Sequence, residues 1–159
     1  STGLAASSPY AVASQPSASE ITYAYARDGN NALDNNEQVG FRREVVGGIG
    51  VLQIQEGLGN WQPITDPGTI DVTAFTVTAI TPALVNDMSR FCPCLYKLTC
   101  TAADMTDPTR NPDGPRTMTI PSYQIALTGQ AIGDSAIVRT ISENVRVRNG
   151  VLTGGCPPP

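Results

Sequence analysis

The stretch Thr117–Asn149, TMTIPSYQIALTGQAIGDSAIVRTISENVRVRN, constrains the fold more than any other part of the chain. β-branched and aromatic residues alternate with polar ones on either side of Gly133-Asp134, which predicts two long strands folded back on each other and speaks against a helix. In the first arm Met118 and Ile120 share one parity and Tyr123, Ile125 and Leu127 the other, so the pattern slips across Pro121-Ser122. A one-residue slip sends side chains to the opposite face, and a bulge or edge position at the proline is the expectation. The second arm puts Ile137, Ile141, Val145 and Val147 on one side and Thr140, Ser142, Asn144, Arg146 and Arg148 on the other; Val138, Arg139 and Glu143 break the alternation. One face is mostly apolar and one mostly wet, the pattern of an antiparallel sheet covered on a single side.

A chain of 159 residues suits one domain, long enough to bury roughly two-thirds of its unfolded surface. The net charge of -4 supplies no basic field for a phosphate backbone, which argues against a nucleic-acid partner. Charged residues make up only 15%, against 15 glycines and 13 prolines, so many turns are expected in place of long surface helices. The four cysteines, Cys92, Cys94, Cys100 and Cys156, are disulfide candidates. An even cysteine count in a polar, turn-rich chain points to an oxidising compartment, periplasmic or extracellular. No apolar run reaches the ~18 residues that span a bilayer, and no secretory signal opens the sequence, so an exported chain would carry its targeting segment outside it.

Residues 1–19 are rich in Ser, Ala and Pro and show no sustained period, which reads as a linker or loop. Ile21, Tyr23 and Tyr25 mark a first strand, and the polar run Asp28–Glu37 a loop. Val39–Gln55 reads as a hairpin turning at Gly47-Gly48. From Ile70 to Ile80 the parity changes between Val72 and Phe75, predicting a bulge near Ala74. Pro82–Gly114 then breaks the pattern, and an irregular stretch of that length inside one domain is expected to be functional or covalently pinned. It holds Cys92, Cys94 and Cys100; joining one of them to Cys156 would fasten the carboxyl end to the loop and stabilise by roughly 2 to 5 kcal/mol. Three pairings are open.

The absence of histidine excludes Ser-His-Asp and Cys-His machinery in their usual forms. Ser-Lys chemistry would need Lys97, the single lysine, and nothing places a serine beside it. Cys92-Pro93-Cys94 and Cys100 lack the paired knuckles of a zinc site. Asp28, Asn30, Asp34, Asn36 and Glu37 form an oxygen-rich loop able in principle to take calcium, although Ala32 and Leu33 stand where an EF-hand needs a ligand and a glycine; an ordinary solvated turn is the plainer reading. Gly47-Gly48-x-Gly50 precedes strand-like residues, not the helix of a phosphate loop. Trp61 reads as a half-buried ring closing the core, or else as a binding aromatic, and Arg146 and Arg148 as a solvated strand face. No enzyme activity and no cofactor are expected.

Val39-Gly40-Phe41-Arg42, Gly59-Asn60-Trp61-Gln62-Pro63-Ile64-Thr65-Asp66-Pro67, Ala126-Leu127-Thr128-Gly129 and Val145-Arg146-Val147-Arg148-Asn149 resemble, in order, the globular domain of PilW-type minor pilins of Gram-negative type IV pili. The resemblance implies an α+β pilin-like fold, here mainly an antiparallel β-sheet with long loops, packed on the carboxyl half of a long amino-terminal helix and carrying a cysteine-pinned loop. It implies residues 1–19 as the linker after that helix and 20–159 as the globular domain, with the helix, its processing site and the acidic residue near the mature start removed. It further implies a subunit anchored in the inner membrane facing the periplasm, then extracellular at the pilus tip, whose partners are other minor pilins and pilus subunits.

A one-sided sheet needs a covering layer, and no long amphipathic helix is evident in the sequence to supply it. The apolar sheet face is therefore expected to be partly exposed, or covered by a partner or by residues 1–19. Beside the minor-pilin reading stand a type II secretion pseudopilin and an exported glycan- or host-surface-binding module using Trp61 and the loop Pro82–Gly114.

Overall fold

The computed structural model describes residue 10 and residues 13–30, 32–96, 100–147 and 150–157. In chain order the strands are β1 (Ser14–Ser17), β2 (Glu20–Ala24), β3 (Gln38–Val46), β4 (Ile49–Glu56), β5 (Trp61–Pro63), β6 (Ile70–Ala79), β7 (Leu84–Asp87), β8 (Thr117–Ile120), β9 (Ser122–Ala131), β10 (Val138–Arg146) and β11 (Val151–Thr153). They form a five-stranded sheet ordered β1-β2-β3-β4-β5 and two three-stranded sheets ordered β10-β9-β6 and β11-β8-β7. Every pairing between named strands is antiparallel.

The expected α+β pilin-like architecture is not what the described residues build. They are nearly all antiparallel β, with 51% in strands and one short α-helix, α1 (Pro93–Tyr96). The reason lies in local composition: period-2 alternation and dense Gly and Pro leave no stretch able to sustain a helical stripe. The helical layer had been implied by resemblance, not by these residues.

Local chemistry explains the elements that do form. Strands β3 and β4 pair from Val39↔Glu56 to Val46↔Ile49, so Gly47 and Gly48 make a two-residue turn, with φ of 61° and 87°. Positive φ at both central residues is the hairpin geometry that matches strand twist, and glycine adopts it without steric cost. The register of β6 on β9 shifts between Val72 and Ala74, so the bulge expected near Ala74 is present. Pro121 marks a larger event than the expected bulge: β8 and β9, on its two sides, belong to different sheets. Proline offers no N–H to a ladder, and the parity slip directs Tyr123 into the main core.

That core lies between two sheets. Ile21 and Leu52 from the five-stranded sheet meet Val72, Phe75, Val77 and Tyr123 from β6 and β9, flanked by Ala13, Phe41, Ile125, Leu127 and Val147. The covering layer is thus a second sheet. The segment read as a loop contributes to it: β1 pairs with β2, and Ala13 packs on the core. The edge of β6 away from β9 is sealed by the same region and by Arg43 of β3. Val77 N–H donates to Ala18 O at 2.8 Å, the Gln15 amide to Val77 O and the Arg43 guanidinium to Val72 O. A second, smaller cluster gathers Cys92, Cys94, Cys100 and Met105 with Leu95 and Cys156.

Candidate functional site

The disulfide candidates pair as Cys92–Cys156 and Cys94–Cys100. The first ties the loop after β7 to the segment after β11; the second joins Cys94, in α1, to Cys100. Asn111, 2% exposed, adds a polar clasp, its amide donating to Met105 O at 2.8 Å and Gly114 O at 2.6 Å. The irregular stretch Pro82–Gly114 is therefore pinned covalently and by hydrogen bonds, and it also contains β7, a strand the sequence pattern did not show.

The oxygen-rich loop closes on itself. Glu37, fully buried, takes the Arg27 N–H on Oε1 at 2.6 Å and the Asp34 N–H on Oε2 at 3.0 Å, while the Tyr10 hydroxyl lies 2.8 Å from Oε2. Oxygens of Asp28, Asp34 and Glu37 come within 4.8 Å of one another. The space among them is already served by protein donors, because the Asn30 amide donates to both Asp28 Oδ2 and Asp34 Oδ2 at 2.9 Å while its Oδ1 accepts the Ala32 N–H. Asn36 contributes its backbone carbonyl to the Arg27 guanidinium at 3.5 Å. The arrangement is a loop closure in which each of the three carboxylates accepts hydrogen bonds from neighbouring protein groups. Tyr10 was the participant missed from sequence, since its surroundings read as linker.

Backbone donors from Arg27 and Asp34 hold the Glu37 carboxyl below its ordinary value, while burial and the Glu37 hydrogen bond push the Tyr10 hydroxyl up to about 12. A depressed carboxylate pKa contributes stability that is complete above the unfolded value of about 4.3 and is lost as pH falls through the lower folded value. Asp66, Asp87, Asp104 and Asp107 shift the same way, each mainly through local hydrogen bonds. Thermal unfolding is therefore expected to be flat above about pH 5 and to fall steeply below about pH 4. Glu37→Gln should lower the neutral-pH midpoint and flatten, without abolishing, the acid slope. An acid slope as steep in Glu37→Gln as in the wild type would remove Glu37 from this account.

Trp61 is half-buried, with the Arg42 guanidinium 4.5 Å from its ring centroid. Its ring tip lies 2.9 Å from where a side chain at Gly40 would begin, so the ring is accommodated by a glycine. Register places Trp61, Gln55, Gly40 and Thr22 on the face opposite Ile21, Phe41 and Ile54. It closes the outer face of the five-stranded sheet, not the main core. Lys97, Arg148 and Asn149 lie outside the described residues.

The surface that stands out is β10. All nine of its residues are exposed. Cross-strand register puts Arg139, Ile141, Glu143 and Val145 on the same face as Leu127, Ile125, Val72, Phe75 and Val77, the face that forms the core. The five-stranded sheet covers that face at β6 and β9 and stops short of β10, where Ile141 is 64% and Val145 39% exposed. Arg139 and Glu143, which interrupt the apolar alternation, sit where the second layer does not reach. Near Val145 a groove of about 450 Å³ opens among Ile80, Pro82, Leu84, Val85 and Arg146.

Strand β10 also ends its sheet among the described residues. Just before it, Ile137 O accepts the Ala131 N–H, and just after it Val147 N–H donates to Pro121 O, both at 3.0 Å. Odd-numbered residues therefore direct their backbone groups to β9, and even-numbered ones direct theirs outward. Val138, Thr140, Ser142, Asn144 and Arg146 thus present a row of peptide groups to the exterior.

A family model described as prepilin peptidase-dependent protein B matches residues 3–147. Searches of curated proteins and of solved structures found no match.

Proposed function

Because the chain belongs to the prepilin peptidase-dependent protein B family, and is therefore pilin-related, we propose that it is a structural subunit without enzymatic activity, a minor pilin of the PilW type. In this role it assembles with other minor pilins to prime and cap a type IV pilus. Before assembly it is held at the inner membrane facing the periplasm, and afterwards it stands at the pilus tip. The observation that carries the reading is the apolar, core-side face of β10 left uncovered at Ile141 and Val145. A sheet face of this kind costs free energy in water and is stabilised by docking onto another subunit. The two disulfides fit the oxidising side of the membrane.

Deleting the gene is expected to remove surface pili and to release the remaining minor pilins from their common complex. Wild-type protein should restore both, whereas Val145→Glu should restore neither while folding normally. Normal piliation in the deletion strain, with loss of protein secretion instead, would transfer the subunit to a secretion machine.

A further inference from the structure

We propose that the open edge of β10 pairs with β10 of a second copy of this chain, antiparallel and centred on Ile141. The inference gives a partner to one part of the docking surface just described and rests on that reading. Its basis is the self-complementarity of the strand. A two-fold axis perpendicular to the sheet keeps the core-side face of both copies on one side, so only registers that pair residues of equal parity are allowed.

Centring on Ile141 sets Ile141 against itself, Arg139 against Glu143, Glu143 against Arg139, and Ile137 against Val145 at both ends. These odd-numbered residues point their backbone groups toward β9, so across the new interface they form the non-hydrogen-bonded pairs, where side chains come closest. The even-numbered residues then supply the ladder, Val138 with Asn144 and Thr140 with Ser142, each pair exchanging two bonds.

Neighbouring registers do not have this property. Centring on Ser142 puts Ile141 against Glu143 and Arg139 against Val145, and centring on Glu143 puts two carboxylates face to face. Neither Arg139 nor Glu143 is in an ion pair among the described residues; the Arg139 guanidinium rests on its neighbour's carbonyl, Val138 O, at 3.0 Å. The paired apolar residues extend the exposed ledge into one continuous strip across both copies. No proline interrupts β10, so its outward N–H groups are all available to a partner strand, and the charges that could guard such an edge, Arg139 and Glu143, are matched in this register.

Sedimentation equilibrium of the purified chain, followed to about 1 mM, tests the pairing. The wild type is expected to dimerise. Arg139→Glu and Glu143→Arg, each alone, place like charges opposite one another twice and should weaken association by roughly tenfold or more. An equimolar mixture of the two single variants, and the double variant R139E/E143R, should each recover it. Ile141→Cys should give a covalent dimer on mild oxidation, since residues opposed at a non-hydrogen-bonded site lie about 4.5 Å apart between Cα atoms, within disulfide reach. Glu143→Cys should not. All of these positions are exposed, and circular dichroism should show unaltered folding. A wild type that stays monomeric, a dimer insensitive to the charge reversals, or crosslinking through Glu143→Cys in place of Ile141→Cys would each overturn the proposal. Because only the purified chain is used, such a result leaves the pilus-subunit reading to be decided by piliation of the deletion strain.

Discussion

Replacing Cys92 and Cys156 together by serine is expected to loosen the β11-β8-β7 sheet by about 4 kcal/mol. The bond joins residues 64 apart, so removing it frees a long loop in the unfolded ensemble, whereas Cys94–Cys100 spans only 6. On the same chain-entropy scale the shorter bridge contributes about 2 kcal/mol. The sheet depends on the long bridge because it has little else. Its strands hold three or four residues each, none of them buried, and Leu84 and Val85 are exposed. Three short strands with so small an apolar face are marginal alone. Amide exchange checks this residue by residue, at amides that bond within their sheets: protection at Asn86, Met118 and Val151 should fall about a thousandfold, while Thr76, Ala126 and Leu127 keep theirs. Equal loss across all three sheets, or no loss at all, would show that the bridge does not underlie this subdomain's stability.

That division into a well-packed two-sheet body and a cysteine-held annex was only partly legible in the sequence. Where alternation ran unbroken, as in Val39–Gln55 and Ile70–Ile80, the strands, the Gly47-Gly48 turn and the bulge beside Ala74 all followed from period-2 patterning and turn chemistry. At Pro121 the same pattern signalled a discontinuity without saying whether it was a bulge or a change of sheet, because both reverse parity. Strand β7 escaped notice because four residues among prolines are too few to establish a period. Tyr10 was missed because its partner, Glu37, is 27 residues away, and such a pairing is set by tertiary packing. The exposed ledge left a trace in Arg139 and Glu143. Two charges on an otherwise apolar parity are what a face looks like where its covering layer ends, and reading them as mere imperfections hid the limit of the core.

Gly50→Ala is expected to destabilise the protein by about 3 kcal/mol, lowering the unfolding midpoint by roughly 10 °C. Turn chemistry gives no reason for so large an effect. A Cβ at this position would lie 2.0 Å from Val72 O and 2.7 Å from Arg43 Nε, so the hydrogen in place of a side chain lets β4 cross β6 backbone to backbone. The crossing is fastened by Gly50 N–H donating to Asp71 Oδ1 at 2.7 Å and by the Arg43 guanidinium on Val72 O. Moving the Arg43 side chain alone cannot admit a methyl group, since the nearest obstructing atom is the Val72 carbonyl, part of the β6 backbone beside its bulge. The strain must instead separate the two sheets, opening the core around Leu52 and Val72. Gly47→Ala supplies the control. Its φ of 61° penalises alanine by about 1 kcal/mol, yet no atom stands within 4 Å of the added carbon. If chemical denaturation finds Gly50→Ala no worse than Gly47→Ala, the sheets do not meet at this glycine, and the junction that leaves β10 overhanging must be sought elsewhere.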